Sequence, residues 1–132
     1  MTRTARCCCG AFSIEVSGEP TLNALCHCDS CKRRTGSAFG WSAYFRDEDL
    51  GARTGELAVY TFKGPPEGRR WFCPICGSTV MWEGGDFMPG QTGFAGGCFA
   101  STPLPEPNIT VREHGRYAWV GLPETCMKIE LP

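Results

Sequence analysis

Seven of the ten cysteines in this 132-residue chain fall into three short clusters. The clusters are Cys7-x-Cys9, Cys26-His27-Cys28-x-x-Cys31 and Cys73-x-x-Cys76. In a secreted protein of this size such a density would indicate disulfides, whereas in a reducing compartment closely spaced thiols bind a soft or borderline metal. The chain opens Met1-Thr2-Arg3-Thr4-Ala5-Arg6, without the apolar run of a secretory signal or a membrane span. We therefore expect a cytoplasmic protein whose cysteines bind metal.

The first and third clusters together offer four thiolates. Cys73 and Cys76 stand in Phe72-Cys73-Pro74-Ile75-Cys76-Gly77, a pattern typical of a tight turn that directs two sulfurs to one point. If residues 7–9 are extended, Cys7 and Cys9 share a face and Cys8 points the other way. Four thiolates are the closed tetrahedral set of a structural zinc. We therefore predict such a site at Cys7, Cys9, Cys73 and Cys76.

The middle cluster offers three sulfurs within six residues, from Cys26, Cys28 and Cys31, with no obvious fourth protein ligand beside them. Three protein ligands leave one zinc position open for water or a substrate atom, as catalytic sites do. Cys98 or Cys126 could instead complete the tetrahedron and make a second structural site. Spacing alone leaves both arrangements open.

Three cations, Lys32-Arg33-Arg34, follow Cys31 directly. Such a run is ordinarily a solvated face. Here the cations would also offset the negative charge of a thiolate cluster, and guanidinium groups bind carboxylates through paired hydrogen bonds. Arg33 and Arg34 are therefore candidate substrate contacts.

The remaining candidate ligands favour structural roles. His27 lies between two cysteines of an extended segment, so its ring should face away from their sulfurs and pack in the interior. His114 is expected on the surface. Cys8, Cys98 and Cys126 are expected to be small buried hydrophobic residues.

Short alternating stretches predict a mostly β chain. Half-buried strands are expected around Phe12, Ile14 and Val16 and around Met127, Ile129 and Leu131. Further strand candidates are rich in β-branched or aromatic residues and lie between Gly or Pro: Leu57 to Phe62, Arg70 to Phe72, Thr79 to Trp82, Gly93 to Phe99 and Ile109 to Arg112. One helical turn is predicted from Asp29 to Arg34, capped by Asp29 or Ser30 and ended by Gly36. An exposed loop is predicted at Gly64-Pro65-Pro66-Glu67-Gly68.

Composition excludes some partners. The formal net charge is −1 and only 20% of residues are charged, which argues against binding nucleic acid or an anionic membrane by bulk electrostatics. The length fits one domain over residues 1–132. The expected partner is a small molecule.

The three cysteine motifs, in this order and spacing, resemble the glutathione-dependent formaldehyde-activating enzyme family, which also includes centromere protein V. The resemblance covers roughly residues 5–120 and runs through Cys7-Cys8-Cys9-Gly10, the segment from Cys26 to Gly36, and the segment from Phe72 to Gly77. It implies a β-tent fold of antiparallel sheets and two zinc ions. The structural zinc would be held by Cys7, Cys9, Cys73 and Cys76, and the second zinc by Cys26, Cys28 and Cys31.

The resemblance also implies an activity, the joining of formaldehyde to the thiol of glutathione, which is a carbon–sulfur lyase reaction in reverse. Two places depart from the family. Where the family often has a Gly-x-Leu-Asp stretch, this chain has Gly97-Cys98-Phe99-Ala100. Where the family often has a His-Ile pair ahead of a Trp, this chain has Asn108-Ile109, with Trp119 after it. If the missing Asp and His shape the family's substrate pocket, this chain uses another thiol or aldehyde, or is not a catalyst.

The sequence thus predicts a zinc-dependent carbon–sulfur lyase that acts on a thiol and an aldehyde. One alternative is a non-catalytic zinc module in which every cluster is structural and the surface binds a partner protein. Another is a redox or metal-handling protein, in which Cys28 and Cys31 would form a disulfide once zinc is removed.

Overall fold

The computed structural model describes residues 1–64 and 67–131, which form many short strands and one α-helix. The strands are β1 (Thr2–Arg6), β2 (Ser13–Ser17), β3 (Leu22–Cys26), β4 (Gly40–Arg46), β5 (Leu50–Thr54), β6 (Ala58–Phe62), β7 (Gly68–Phe72), β8 (Thr79–Glu83), β9 (Gln91–Ala95), β10 (Ile109–Val111) and β11 (Met127–Ile129). The helix, α1, spans Asp29–Thr35. The prediction of a mainly antiparallel, mostly β fold is confirmed. The predicted loop around Pro65 and Pro66 lies outside the described residues.

Backbone contacts divide the chain into two compact units. The first unit contains residues 1–21 and 43–104, and the second contains residues 22–42 and 105–132. That residues 1–132 form one domain, and that the fold is a β-tent, stay predictions. Among the described residues, no helix has the length and apolar character that crossing a membrane requires.

The first unit is built from antiparallel strands. β2 pairs with β1 on one side and β5 on the other, and β6, β7, β8 and β9 pair in sequence order. Ile14 and Val16 of β2 are buried while Glu15 between them is exposed, as the alternation of apolar and polar residues predicts. Phe45, Phe94 and Phe99 form the aromatic core of this unit, with ring centroids 5.6 to 5.8 Å apart.

The second unit places parallel strands beside the helix. β10 pairs in parallel with β3 on one side and with β11 on the other. The register sets Ile109 opposite Ala24 and Val111 opposite Cys26. The three strand residues directly before Cys26 are buried, so β3 runs from the interior to Cys26, where the chain turns toward α1.

Several elements differ from the sequence predictions. β1 carries almost no apolar side chain, yet Arg3 is buried because its guanidinium donates to the carbonyls of Pro103 and Gly18. The predicted strand from Gly93 to Phe99 ends at Ala95, and residues 96–99 form a 3-10 turn that begins with two glycines. β11 is exposed along its length rather than half-buried, because it is the edge strand beside β10.

The structure also contains β3, β4 and β5, which the pattern of the sequence did not predict. Their residues lack a regular alternation, and pairing with strands that are distant in the chain stabilises them instead.

Candidate metal centres

The four sulfurs of Cys7, Cys9, Cys73 and Cys76 converge in the first unit, all within 4.8 Å of one another. We call this set the four-cysteine cluster. Cys7 Sγ lies 3.7 Å from Cys9 Sγ, which lies 3.8 Å from Cys73 Sγ. A tetrahedral zinc with Zn–S bonds of about 2.3 Å places its sulfurs about 3.8 Å apart. The donor atoms and their spacing therefore fit zinc.

Two tight turns hold this cluster. The first follows β1 and is closed by the Gly10 amide, which donates to the Cys7 carbonyl at 3.1 Å. The second follows β7, where the Gly77 amide donates to the Cys73 carbonyl at 2.7 Å, and Gly77 has a φ of 79°, which glycine adopts without strain. Residues 7–9 thus form a turn and are not extended. The turn lets backbone amides point at the sulfurs, as the Phe12 amide does toward Cys7 Sγ at 3.3 Å.

The four thiols differ in how deeply they are buried and in the hydrogen bonds that they accept. Cys7 and Cys73 are buried, whereas Cys9 and Cys76 are exposed. Hydrogen bonds from the hydroxyl and backbone amide of Ser78 lower the pKa of Cys76 to about 5. Cys8, between two ligand candidates, is exposed and not a buried hydrophobic residue, because it occupies the outer position of the turn.

The sulfurs of Cys26, Cys28 and Cys31 converge in the second unit, again within 4.8 Å of one another. We call this set the three-cysteine cluster. Among the described residues no fourth Cys, His or carboxylate donor meets that distance. A hydrogen bond from Cys31 lowers the pKa of Cys26 to about 5, and the same contact raises the pKa of Cys31. The cluster thus already favours a thiolate before a cation binds.

The two cysteines that could have completed this cluster lie elsewhere. The Cys98 thiol donates to the carbonyl of Thr79, 3.8 Å away, in the first unit. Burial raises the pKa of Cys126, as do the charges of Glu113 and Glu106. Both side chains are partly exposed, whereas we expected them to be buried.

Helix α1 presents the three-cysteine cluster. Cys28, and not Asp29 or Ser30, is the N-cap residue, and its sulfur accepts a hydrogen bond from the Cys31 amide at 3.3 Å. Gly36 ends the helix in the left-handed conformation, as predicted, and its amide donates to the carbonyl of Lys32. Short as it is, the helix places Cys28 and Cys31 one turn apart on the same side.

Arg34 lies at this cluster because Gly40 has no side chain. A Cβ atom on Gly40 would lie 2.8 Å from a guanidinium nitrogen of Arg34 and 3.3 Å from Cys31 Sγ. Both groups therefore approach the same buried backbone position. Of the other two cations in the run, Lys32 donates to the carbonyl of Gly115 at 2.6 Å, and Arg33 is exposed.

A buried polar network supports the segment between Cys26 and Cys28. His27 is fully buried, as expected, and its Nε2 lies 2.9 Å from the Thr110 hydroxyl, which in turn donates to the Glu113 carboxylate at 2.9 Å. Because the single hydroxyl hydrogen goes to Glu113, His27 Nε2 is the donor to Thr110. Burial lowers the pKa of His27, so the ring is neutral.

Glu113 connects this network to the surface. Arg116 donates to it at 3.0 Å, and Lys128 lies 3.7 Å away. Burial alone would raise the pKa of Glu113, but the hydrogen bonds from Thr110 and Arg116 hold it below its ordinary value. Thr110 and Glu113 do not stand out in the sequence, since only the pairing of β3 with β10 brings them to His27.

A family model described as glutathione-dependent formaldehyde-activating enzyme matches residues 2–114, which include both clusters. The chain belongs to the glutathione-dependent formaldehyde-activating enzyme family. The resemblance seen in the cysteine motifs is thereby confirmed. Membership in this enzyme family associates the chain with thiol and aldehyde chemistry, and its two cysteine clusters could each hold a metal ion.

A solved structure supports the same fold. The crystal structure of a Rhodobacter sphaeroides protein is similar to this family member with a TM-score of 0.58 and 26% sequence identity. The similarity covers 77% of this chain and 97% of that chain. No functionally curated protein matches the chain.

Proposed function

We propose that this protein is a zinc-dependent carbon–sulfur lyase that joins a thiol to an aldehyde and catalyses the reverse cleavage, with glutathione and formaldehyde as the first pair to test. The observation that carries the proposal is the three-cysteine cluster, which offers three thiols and no fourth Cys, His or carboxylate donor within 4.8 Å among the described residues. A zinc ion with three protein ligands keeps one position for substrate. The four-cysteine cluster, which is complete, serves as the structural site.

In the forward direction the substrate thiol loses its proton, and its sulfur attacks the aldehyde carbon. A carbon–sulfur bond forms, the carbonyl electron pair moves onto oxygen, and that oxygen takes up a proton to give a hydroxymethyl thioether. Zinc at the three-cysteine cluster would supply a positive centre that favours the ionised form of the thiol. The reverse reaction breaks the same bond and restores the carbonyl and the thiol.

Ionising the substrate thiol accounts for only a small part of the rate enhancement that an enzyme provides. A thiol with a pKa near 8.5 is about 3% ionised at pH 7, so complete ionisation gains at most about thirtyfold, or roughly 2 kcal/mol. Orientation of the aldehyde and stabilisation of the developing alkoxide must provide the rest. In this proposal the Arg34 guanidinium, which lies beside Cys31 across Gly40, would donate to that oxygen.

Exchange NMR tests the proposal directly. The rates of formation and breakdown of the glutathione–formaldehyde adduct are compared between the zinc-loaded protein and a Cys28→Ser variant. We expect faster exchange that disappears in the variant. If the protein with two zinc ions gives no acceleration over the spontaneous reaction, this activity is excluded, and the non-catalytic zinc module becomes the better hypothesis.

A further inference from the structure

Strand β6 is an edge of its sheet that carries no charge. It pairs with β7 on one side, and in the described part of the chain no strand pairs with its other side. Its sequence, Ala-Val-Tyr-Thr-Phe, contains no charged residue and no proline, and Val59 and Tyr60 are 52% and 53% exposed. An edge strand of this kind presents backbone amides and carbonyls to which another strand can bind.

The other edge strands of the described sheets each carry an exposed cation. Arg6 lies in β1, Arg53 in β5 and Lys128 in β11. A charge on an edge strand opposes pairing with another chain, because the approaching strand would have to strip water from it. Among the edges that the structure describes, β6 therefore lacks the protection that the others have, although it is as long as β1 and β5.

Two aromatic side chains of β6 are held in place by the neighbouring strand. The Arg70 guanidinium on β7 lies 5.5 Å from the ring centroid of Tyr60 and 5.1 Å from that of Phe62. Tyr60 lies opposite Arg70 in the antiparallel register, so one cation contacts both rings. Because these side chains are ordered beforehand, a strand that pairs with β6 costs less conformational entropy than a flexible edge would.

We propose that β6 pairs in antiparallel orientation with β6 of a second copy of the chain, about a twofold axis at Tyr60. An axis at this middle residue pairs all five positions, with Val59 opposite Thr61 of the second copy and Ala58 opposite Phe62 of the second copy. Two β-branched side chains then meet on one face, and a small side chain meets a large one on the other. The pairing occupies the β6 edge of both copies, so assembly stops at the dimer.

The charges around β6 favour a second copy in this orientation. Exposed Glu56 precedes the strand and exposed Lys63 follows it, so antiparallel pairing brings the acid of each chain to the lysine of the other. Parallel pairing would place like charges together. The Arg70 side chains of the two copies would lie three strand spacings apart, about 14 Å, which exceeds the screening length of about 8 Å at physiological ionic strength.

Sedimentation equilibrium of the zinc-loaded full chain tests this pairing. A pair of short strands buries less than the roughly 800 Å² per partner of a standard stable interface, so we expect a dissociation constant of about 10 to 100 µM. Hydrogen exchange at the β6 amides that point away from β7 should slow as the dimer forms. A chain that stays monomeric up to about 1 mM would leave β6 to a segment of another protein and overturn the inference, as would species larger than a dimer.

Charge substitutions test the register. Val59→Lys puts a charge into the contact, and so does Thr61→Glu, beside Arg69 of its own chain. Each alone should weaken dimerisation at least about tenfold. The double variant sets the new lysine of each copy opposite the new glutamate of the other, so it should recover most of the wild-type affinity.

Ala52→Lys is the matched control, because it adds the same charge to the exposed edge strand β5 and should leave dimerisation unchanged. Every variant should keep the zinc content of the wild type, since none of these residues belongs to a cysteine cluster. A double variant that dimerises no better than the single variants would overturn the axis at Tyr60. Dimerisation that neither single variant weakens would place the contact away from β6 and overturn the inference as a whole.

Discussion

The sulfur of Cys28 accepts a hydrogen bond from the backbone amide of Cys31 at 3.3 Å. One candidate metal ligand therefore caps the helix that carries another. Formation of α1 and assembly of the three-cysteine cluster depend on the same side chain, so metal binding and helix stability are linked.

Replacing Cys28 by serine or by alanine distinguishes its role as helix cap from its role as metal ligand. Serine keeps a capping oxygen but removes the sulfur ligand, whereas alanine removes both. We expect Cys28→Ser and Cys28→Ala each to bind one zinc ion fewer per chain than the wild type. Among the metal-free proteins, urea unfolding should show the alanine variant to be about 1 kcal/mol less stable than the serine variant. Equal stabilities would show that the cap contributes nothing.

Loss of metal binding at the four-cysteine cluster should destabilise the first unit. Cys73 is buried and its sulfur belongs to the four-cysteine cluster, so Cys73→Ser should lose one zinc ion and at least about 3 kcal/mol of stability. Cys8→Ser is the control, because Cys8 is exposed in the same turn and outside the cluster. Metal analysis and thermal unfolding should show the control unchanged. Loss of zinc from the control would mean that Cys8 exchanges with a ligand.

The three-cysteine cluster should not depend on the remaining cysteines. Cys98 donates to the Thr79 carbonyl, and Cys126 lies near the carboxylates of Glu113 and Glu106. We therefore expect Cys98→Ser and Cys126→Ser each to retain two zinc ions after dialysis against a competing chelator. If either variant loses the second zinc selectively, that cysteine is the fourth ligand and the site is closed.

Gly40 leaves the space that Arg34 and Cys31 occupy. A Cβ at this position would lie 2.8 Å from the Arg34 guanidinium, closer than side-chain atoms approach, and tight against Cys31 Sγ. We expect Gly40→Ala to weaken zinc binding at the three-cysteine cluster by about tenfold, measured by chelator competition, without loss of the other zinc. Gly51→Ala is the matched control, since a Cβ there meets only ordinary contacts at 3.5 Å or more. Equal affinities in both variants would contradict this role.

The carboxylate of Glu113 should stabilise the protein in a pH-dependent way. Because hydrogen bonds hold its pKa below the unfolded value, its contribution is complete above about pH 5 and falls as the pH drops through the folded pKa. We expect Glu113→Gln to cost about 2 kcal/mol at pH 7 and progressively less below pH 4. Urea unfolding of both proteins at several pH values measures the difference. A difference that does not change with pH would mean that the charge of Glu113 is not what stabilises the network.

The local features of the site were predictable from the sequence because they depend on residues close together in the chain. The spacing of Cys73 and Cys76 with Gly77 predicts a turn that brings two sulfurs together, and the structure has that turn. Gly36 ends the helix where predicted. The motifs also indicated the family, since several spaced cysteines in order form a specific pattern.

Only the tertiary structure decided which distant residues join these local features. Strand pairing sets Val111 opposite Cys26, and the same pairing brings Thr110 and Glu113 to His27. No local pattern encodes that register, because it depends on how the strands pack. Of the cationic run, the sequence could not say that Arg34 lies beside Cys31 while Lys32 binds the carbonyl of Gly115. Neighbours in sequence make different contacts once a helix turns their side chains toward different surroundings.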